Sequence, residues 1–390
     1  MNREHPGTPA AWLSLGFRPF FLAAAAYAVC AMGIWFAGYA FDIGTGFNGL
    51  PPSVWHAHEM LYGYTLAVVA GFLLTAVTNW TGLQTLRGIP LLLLLLAWLA
   101  ARAAIYVPGT GLYWSALFDT LFSVVLLIAV SVPVIRKRQV QQSGILAKLL
   151  LIGTGNLVFY LGALGYLEQG LHWGLYTGFY LVIGLILAMS RRLIPFFIER
   201  GLDEAVQLRN STRIDVAALV LYLVFFVVEV FTAWHRAAAA LAAVLFVIHL
   251  YRLGGWYVAA VWRKPLLWSL LLAYLFITTG FALFTASLWF TSLWFPALHA
   301  FAVGGIGLLT MSMMTRVSLG HTGRSVHEPP RVMPLMLVLL AVAGLVRIAL
   351  PPLLPDLYSL WIELSQLLWI AAFGGFLLAY LPILTKPSLS

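Results

Sequence analysis

Charge is what this chain has least of. Its 13 Asp and Glu and 22 Lys and Arg make only 9% of 390 residues, where a soluble domain carries roughly a quarter. That scarcity excludes a conventional soluble enzyme. Cysteine is nearly absent too: Cys30 stands alone, so there is no internal disulfide and no cysteine-rich metal site. Any metal must sit on His, Met, Asp, Glu or Tyr. There is no phosphate loop and no Cys-x-x-Cys-His haem attachment. There is no zinc-protease motif either, because Glu59 follows His58 but no His stands at the required later position. No basic, aromatic-studded soluble segment exists to bind nucleic acid, and the net charge of +9 is better explained by loop orientation.

What is present is hydrophobic sequence, 62% of the chain. Runs long enough to cross a bilayer core of about 30 Å recur from Phe20 almost to the C-terminus, each closed by Pro, Gly or charge. They are continuous rather than alternating, so they predict helices and not a barrel. The fold class is an all-α polytopic membrane protein of about twelve transmembrane helices, spanning 19–40, 56–78, 89–107, 112–134, 147–167, 172–194, 213–233, 236–254, 267–289, 294–315, 332–350 and 357–381. The first run follows Arg3 and Arg18, exceeds the apolar core of a secretory signal, and is expected to remain as an uncleaved first helix. Loops after even-numbered helices hold sixteen of the 22 basic residues; Arg3, Arg18 and Lys386 join them on one face, leaving only Arg102, Arg236 and Arg347 elsewhere. Both termini are therefore expected in the cytoplasm. Residues 1–390 read as a single membrane domain embedded in the lipid bilayer, with 195–213 a cytoplasmic linker between six-helix halves.

An internal echo links helices 2 and 10. His58 is followed 23 and 24 residues later by Thr81 and Gly82, and His299 at the same intervals by Thr322 and Gly323. Recurrence every fourth helix suits three four-helix arcs, the arrangement of the haem-copper oxidase core subunit.

The densest constellation of reactive groups is Trp55-His56-Ala57-His58-Glu59-Met60, at the outer start of helix 2, where polar groups are costly and usually functional. On a regular helix His56 and Glu59 share a face, while His58 points about 200° from His56. The two histidines are expected to meet different partners. His299 opens helix 10 on the same outer face, and a haem iron with two axial imidazoles needs them at one level on facing helices. His58 and His299 are therefore the expected outer pair. Gly304, Gly305 and Gly307 beyond it admit either a flat macrocycle or a neighbouring helix. His249 and His321 form a second, inner group. The 17 residues from His299 to Arg316 make roughly 25 Å of helix, so the two groups cannot share one metal. Arg192, Arg316 and Arg324 are candidates to pair haem propionates, and Met311, Met313 and Met314 offer thioethers suited to copper, although core packing competes. His5, His172, His235 and His327 have no partners nearby in sequence and are set aside.

Five ordered motifs then resemble the signatures of one family: Leu15-Gly16-Phe17-Arg18-Pro19-Phe20-Phe21, Trp55 to Met60, Asn79-Trp80-Thr81-Gly82, Arg192-Leu193-Ile194-Pro195-Phe196-Phe197 and Leu319-Gly320-His321-Thr322-Gly323-Arg324. Together they span nearly the whole chain and are similar to the NnrS family of bacterial membrane proteins. The resemblance implies haem and copper, and a link to denitrification and relief of nitrosative stress by nitric oxide. It places His56, His58, His249, His299 and His321 on the family's histidine pattern, the helix-8 motif running from Leu245 to His249 and on to Arg252 and Trp256. Helix 6 has no histidine near its middle and helix 7 no His-His pair, which argues against a full oxygen-reducing copper-haem centre.

The leading expectation is an inner-membrane protein holding one or two haem b groups, with copper as a further candidate, and acting on nitric oxide as a haem-dependent oxidoreductase or binding protein. It would draw on a respiratory electron donor or serve a reductase partner. His56 and Glu59 would tune a ligand or shuttle protons. Two alternatives stand beside it: a proton-coupled transporter relaying through His56, His58, Glu59 and Glu229, and an accessory protein delivering haem or copper to a reductase.

Overall fold

The computed structural model describes residues 10–43 and 47–389; Arg3 and His5 lie outside them. Among these residues twelve helices account for the predicted spans: α1 Phe17–Phe41, α2 Pro52–Thr81, α3 Ile89–Ala104, α4 Gly111–Arg136, α5 Val140–Ala163, α6 Gly170–Gly201, α7 Thr212–Phe231, α8 His235–Trp256, α9 Pro265–Ala286, α10 Thr291–Gly320, α11 Met333–Leu353 and α12 Pro355–Thr385. Eleven are long and apolar enough to cross a membrane, and α3 is a shorter apolar helix. The chain is an all-α multi-pass membrane protein. Proline in the first turn starts α2, α3, α9 and α11, where its missing N–H costs nothing.

Consecutive helices pack side by side except at α2, which meets α1 and α4, and α12 returns against α1 to close the ring. Burial separates the middle from the rim. In α2 and α10 the most apolar stretches are 83% and 78% buried and in α6 61%, against 28% in α7 and 33% in α8. Helix α9, at 67%, is more buried than α6, so α2 and α10 are the innermost pair. Helices α5 and α6 meet where Gly162 faces Gly170, so closely that a Cβ on Gly162 would stand 2.7 Å from the Gly170 Cα; small residues are what permits such contact without a hydrophobic driving force in lipid.

The echo between α2 and α10 is a structural repeat. Each begins as a short α-helix ending on a histidine, Pro52–His58 and Trp294–His299. Each passes into a π-helical stretch, Glu59–Thr65 and Ala300–Gly307. Each resumes as α-helix and stops near a glycine in the left-handed region, Gly82 at φ 68° and Gly323 at φ 70°. π-helical turns are rare and collect at functional sites.

Two sequence expectations change. Helix α6 does not stop at Pro195 but continues through it to Gly201, so the linker before Thr212 shortens to 202–211; proline within a helix is tolerated where neighbouring groups take up the freed backbone. The glycines of α10 serve helix packing rather than a macrocycle: a side chain on Gly304 would overlap the Phe276 ring, one on Gly305 would approach Ile277 to 2.6 Å, and one on Gly307 would meet Trp369 at 2.5 Å.

The C-terminal segment is tied to α1 and to the end of α10. Arg18, buried in α1, donates through Nη1 to the carbonyls of Leu384 (3.0 Å) and Lys386 (2.7 Å) and through Nη2 to the Ser388 hydroxyl (2.9 Å). The Leu389 amide donates to the Thr322 carbonyl at 2.9 Å. Two of the five motifs thereby hold the C-terminal segment.

Candidate functional site

The divergence of the two histidines on α2 is the first fact of the site. His58 is buried and turns toward α3, α4 and α5. Its Nδ1 donates to Glu59 Oε1 at 2.9 Å and its Nε2 to Asn156 Oδ1 at 2.9 Å, with Asp119 Oδ2 3.9 Å away. Arg102 closes the cluster: its Nε lies 2.8 Å from Glu59 Oε2, and its Nη2 bonds Asp119. Tyr27 donates to Glu59 Oε2 at 2.5 Å and Tyr160 to Asp119 Oδ2 at 2.8 Å. Both His58 ring nitrogens are thus engaged by polar neighbours, and Arg102 bridges the two carboxylates in an apolar setting. Such a group is costly to bury and more costly to break. Glu59 sides with His58, not with His56 as regular helical spacing predicts, because the π-helical stretch begins at Glu59.

His56 turns the other way, into a cavity of about 560 Å³ walled by α1, α2, α6, α10, α11 and α12, within the usual range of ligand sites. His299 lines the same cavity. The structure therefore brings His299 together with His56 and separates it from His58, whose ring nitrogens are both engaged. The His56 ring stacks on Trp35 at 4.8 Å and 13°, and its Nδ1 has no hydrogen-bond partner. His299 Nδ1 donates to the Phe295 carbonyl at 2.8 Å, which leaves Nε2 with the lone pair, the arrangement of a metal-ligating imidazole. The π-helical stretches supply wall residues on both sides: Met60, Leu61 and Tyr64 from α2, and Ala302, Val303 and Ile306 from α10.

Three wall residues escaped the sequence reading. His172 stands on α6 at the cavity, its ring 4.6 Å from Tyr176. Arg347, near the end of α11, has an Nη1 shielded from solvent and unpaired, and Gln366 on α12 has both amide atoms unpaired. Arg102 and Arg347 did carry a signal, as two of the three basic residues that break the orientation pattern. Asp119 carried one as a carboxylate inside an apolar run.

Tyr64 reaches Thr310 at 2.5 Å, and beyond that bond lies a second, apolar space of about 80 Å³ lined by Phe21, Val68, Phe72 and Met313 among others. Met311 and Met314 are fully buried in the core.

His249 and His321 acquire different neighbours. His249 bonds Tyr274 through Nδ1 at 2.6 Å and stacks on Phe281, while Arg252 donates to the Tyr274 hydroxyl at 3.0 Å and pairs with Asp215. His249 Nε2 is buried and unpaired. His321, just past α10, lies against Phe17, with its Nε2 3.5 Å from Asn79 Nδ2. Burial pushes its imidazole below the ordinary value, so it is neutral at pH 7. The inner arginines are also dispersed: Arg192 is exposed, Arg316 lies 4.2 Å over the Phe197 ring, and Arg324 donates to the Thr322 carbonyl at 3.3 Å. Glu229, half-buried on α7, is not among the cavity residues. Among the described residues no three His, Cys, Asp or Glu side chains gather to hold a metal ion.

A family model described as NnrS protein matches residues 11–388. The chain belongs to the NnrS family. Membership supports a role related to nitric oxide at the level of the family. No curated protein matches the chain. In this NnrS chain the match covers both π-bearing helices, the charged cluster and every wall of the cavity.

Proposed function

We propose that this NnrS chain holds haem b in the cavity between α2 and α10, with His56 and His299 as the iron-ligating residues, and handles nitric oxide in the bacterial inner membrane with both termini cytoplasmic. The observation that carries the reading is the convergence of two uncommitted imidazoles, one from each π-bearing central helix, on one cavity large enough for a cofactor. The walls suit a flat apolar ring, with Trp35, Phe179, Val303, Ile306 and Trp369 among them. When bound, haem would supply an iron that exchanges electrons and, where one imidazole gives way, takes a diatomic gas.

The chain's own residues do the positioning. The Phe295 carbonyl fixes the His299 tautomer, and Trp35 holds the His56 ring by its face. Glu59, gripped by Tyr27, His58 and Arg102, anchors the helix that presents His56; its part is placement rather than proton carriage. No cluster of three His, Cys, Asp or Glu side chains among the described residues offers copper a site of its own. A redox role would draw on a respiratory electron donor.

Detergent-purified protein is expected to show haem b absorption bands with iron at about one per chain, and nitric oxide, displacing one of the two imidazoles, should shift those bands. Bands that ignore nitric oxide contradict the handling role and leave the haem site standing. A colourless protein that moves a solute overturns the haem reading in favour of transport.

A further inference from the structure

We infer that Arg347 and Gln366 form a carboxylate-binding corner of this cavity, which on the haem reading above receives a propionate. A guanidinium inside a membrane protein ordinarily meets an acid or a set of carbonyls. Arg102 meets Glu59 and Asp119, Arg252 meets Asp215, and Arg18 meets the C-terminal carbonyls. Arg347 has the Tyr358 hydroxyl beside it but no acid: its Nη1 is unpaired, and no Asp or Glu is among the residues that wall the cavity.

Gln366 is an independent second sign. It is only 5% exposed, yet both its amide oxygen and its amide nitrogen lack partners. Buried polar groups are rarely left so, and an amide that is unpaired at a cavity wall is placed to receive a ligand group. That group must be an acceptor with negative charge to match Arg347, and it must accept from an amide N–H to match Gln366. A carboxylate does both, since its paired oxygens fit the guanidinium fork. The rest of the ligand must be apolar, because the neighbouring wall is Trp35, Ile362 and Trp369. An apolar ring bearing carboxylates is the chemical class that satisfies both ends.

The test uses porphyrin without iron, so that histidine ligation plays no part. Protoporphyrin IX and its dimethyl ester are titrated by fluorescence into the purified full-length protein, wild type, Arg347→Gln and Gln366→Leu. Comparing the acid-to-ester affinity ratio between proteins cancels micelle partitioning. The ratio is expected to fall about tenfold or more in Arg347→Gln, the loss of a charge-assisted hydrogen bond, and several-fold in Gln366→Leu. If Arg347→Gln does not fold, Gln366→Leu alone decides. A ratio unchanged in the folded variants overturns the inference, as does failure of wild type to bind either porphyrin. The haem reading fails by a different route, through absent iron bands, so the two are separable.

Discussion

At the scale of the residue, two positions apart on α2 mean two different jobs. His58 belongs to a cluster with Glu59, Arg102 and Asp119, all buried, and His56 belongs to the cavity. Removing the cation from the cluster leaves two carboxylates facing each other in an apolar setting. Arg102→Met is therefore expected to destabilise the fold by about 3–5 kcal/mol, read as a lowered thermal midpoint in detergent; an unchanged midpoint would contradict the cluster's structural part. The sequence announced the divergence of His56 and His58 through helical geometry alone. It could not say which of them His299 would join, because an apolar helix offers every face to a neighbour. Arg102 and Arg347 were legible as exceptions to the charge pattern, but only three-dimensional packing distinguishes the one with carboxylates from the one without.

At the scale of the element, the π-helical stretches of α2 and α10 are what aim the histidines. Period-3.6 reasoning follows the spans well but cannot register an inserted residue, so Glu59 was assigned to the wrong face and the wall positions of both stretches were hidden. Deleting one residue from 300–307 should restore α-helical phase and turn His299 by about 100° relative to the rest of α10. The expected outcome is folded protein with little bound haem; full haem content would show that the π turn does not set the site. The α10 glycines predict a different loss. Gly304→Leu drives a side chain into Phe276 and Gly344 and should cost about 1–3 kcal/mol of stability through overpacking, again measured as the thermal midpoint. Pro195 shows the limit of local rules, since a residue that ends many helices lies here within α6.

At the scale of the whole molecule, the twelve helices and the central place of α2 and α10 follow from sequence length, hydropathy and the repeat between α2 and α10, all of which the chain displays openly. The closure of the ring was not legible. It depends on α12 packing against α1 and on Arg18 binding the C-terminal carbonyls across 366 and 368 residues, contacts that leave no local pattern. Arg18→Ala should free that segment, so carboxypeptidase is expected to remove the last residues markedly faster than in wild type; equal rates would contradict the tie. The account rests most heavily on which histidines face the cofactor. The direct measurement is haem content per folded chain, by absorption spectra, in His56→Ala, His299→Ala and His58→Gln. Loss of haem in the first two with retention in the third is the predicted result, whereas loss in His58→Gln and retention in His56→Ala would contradict it.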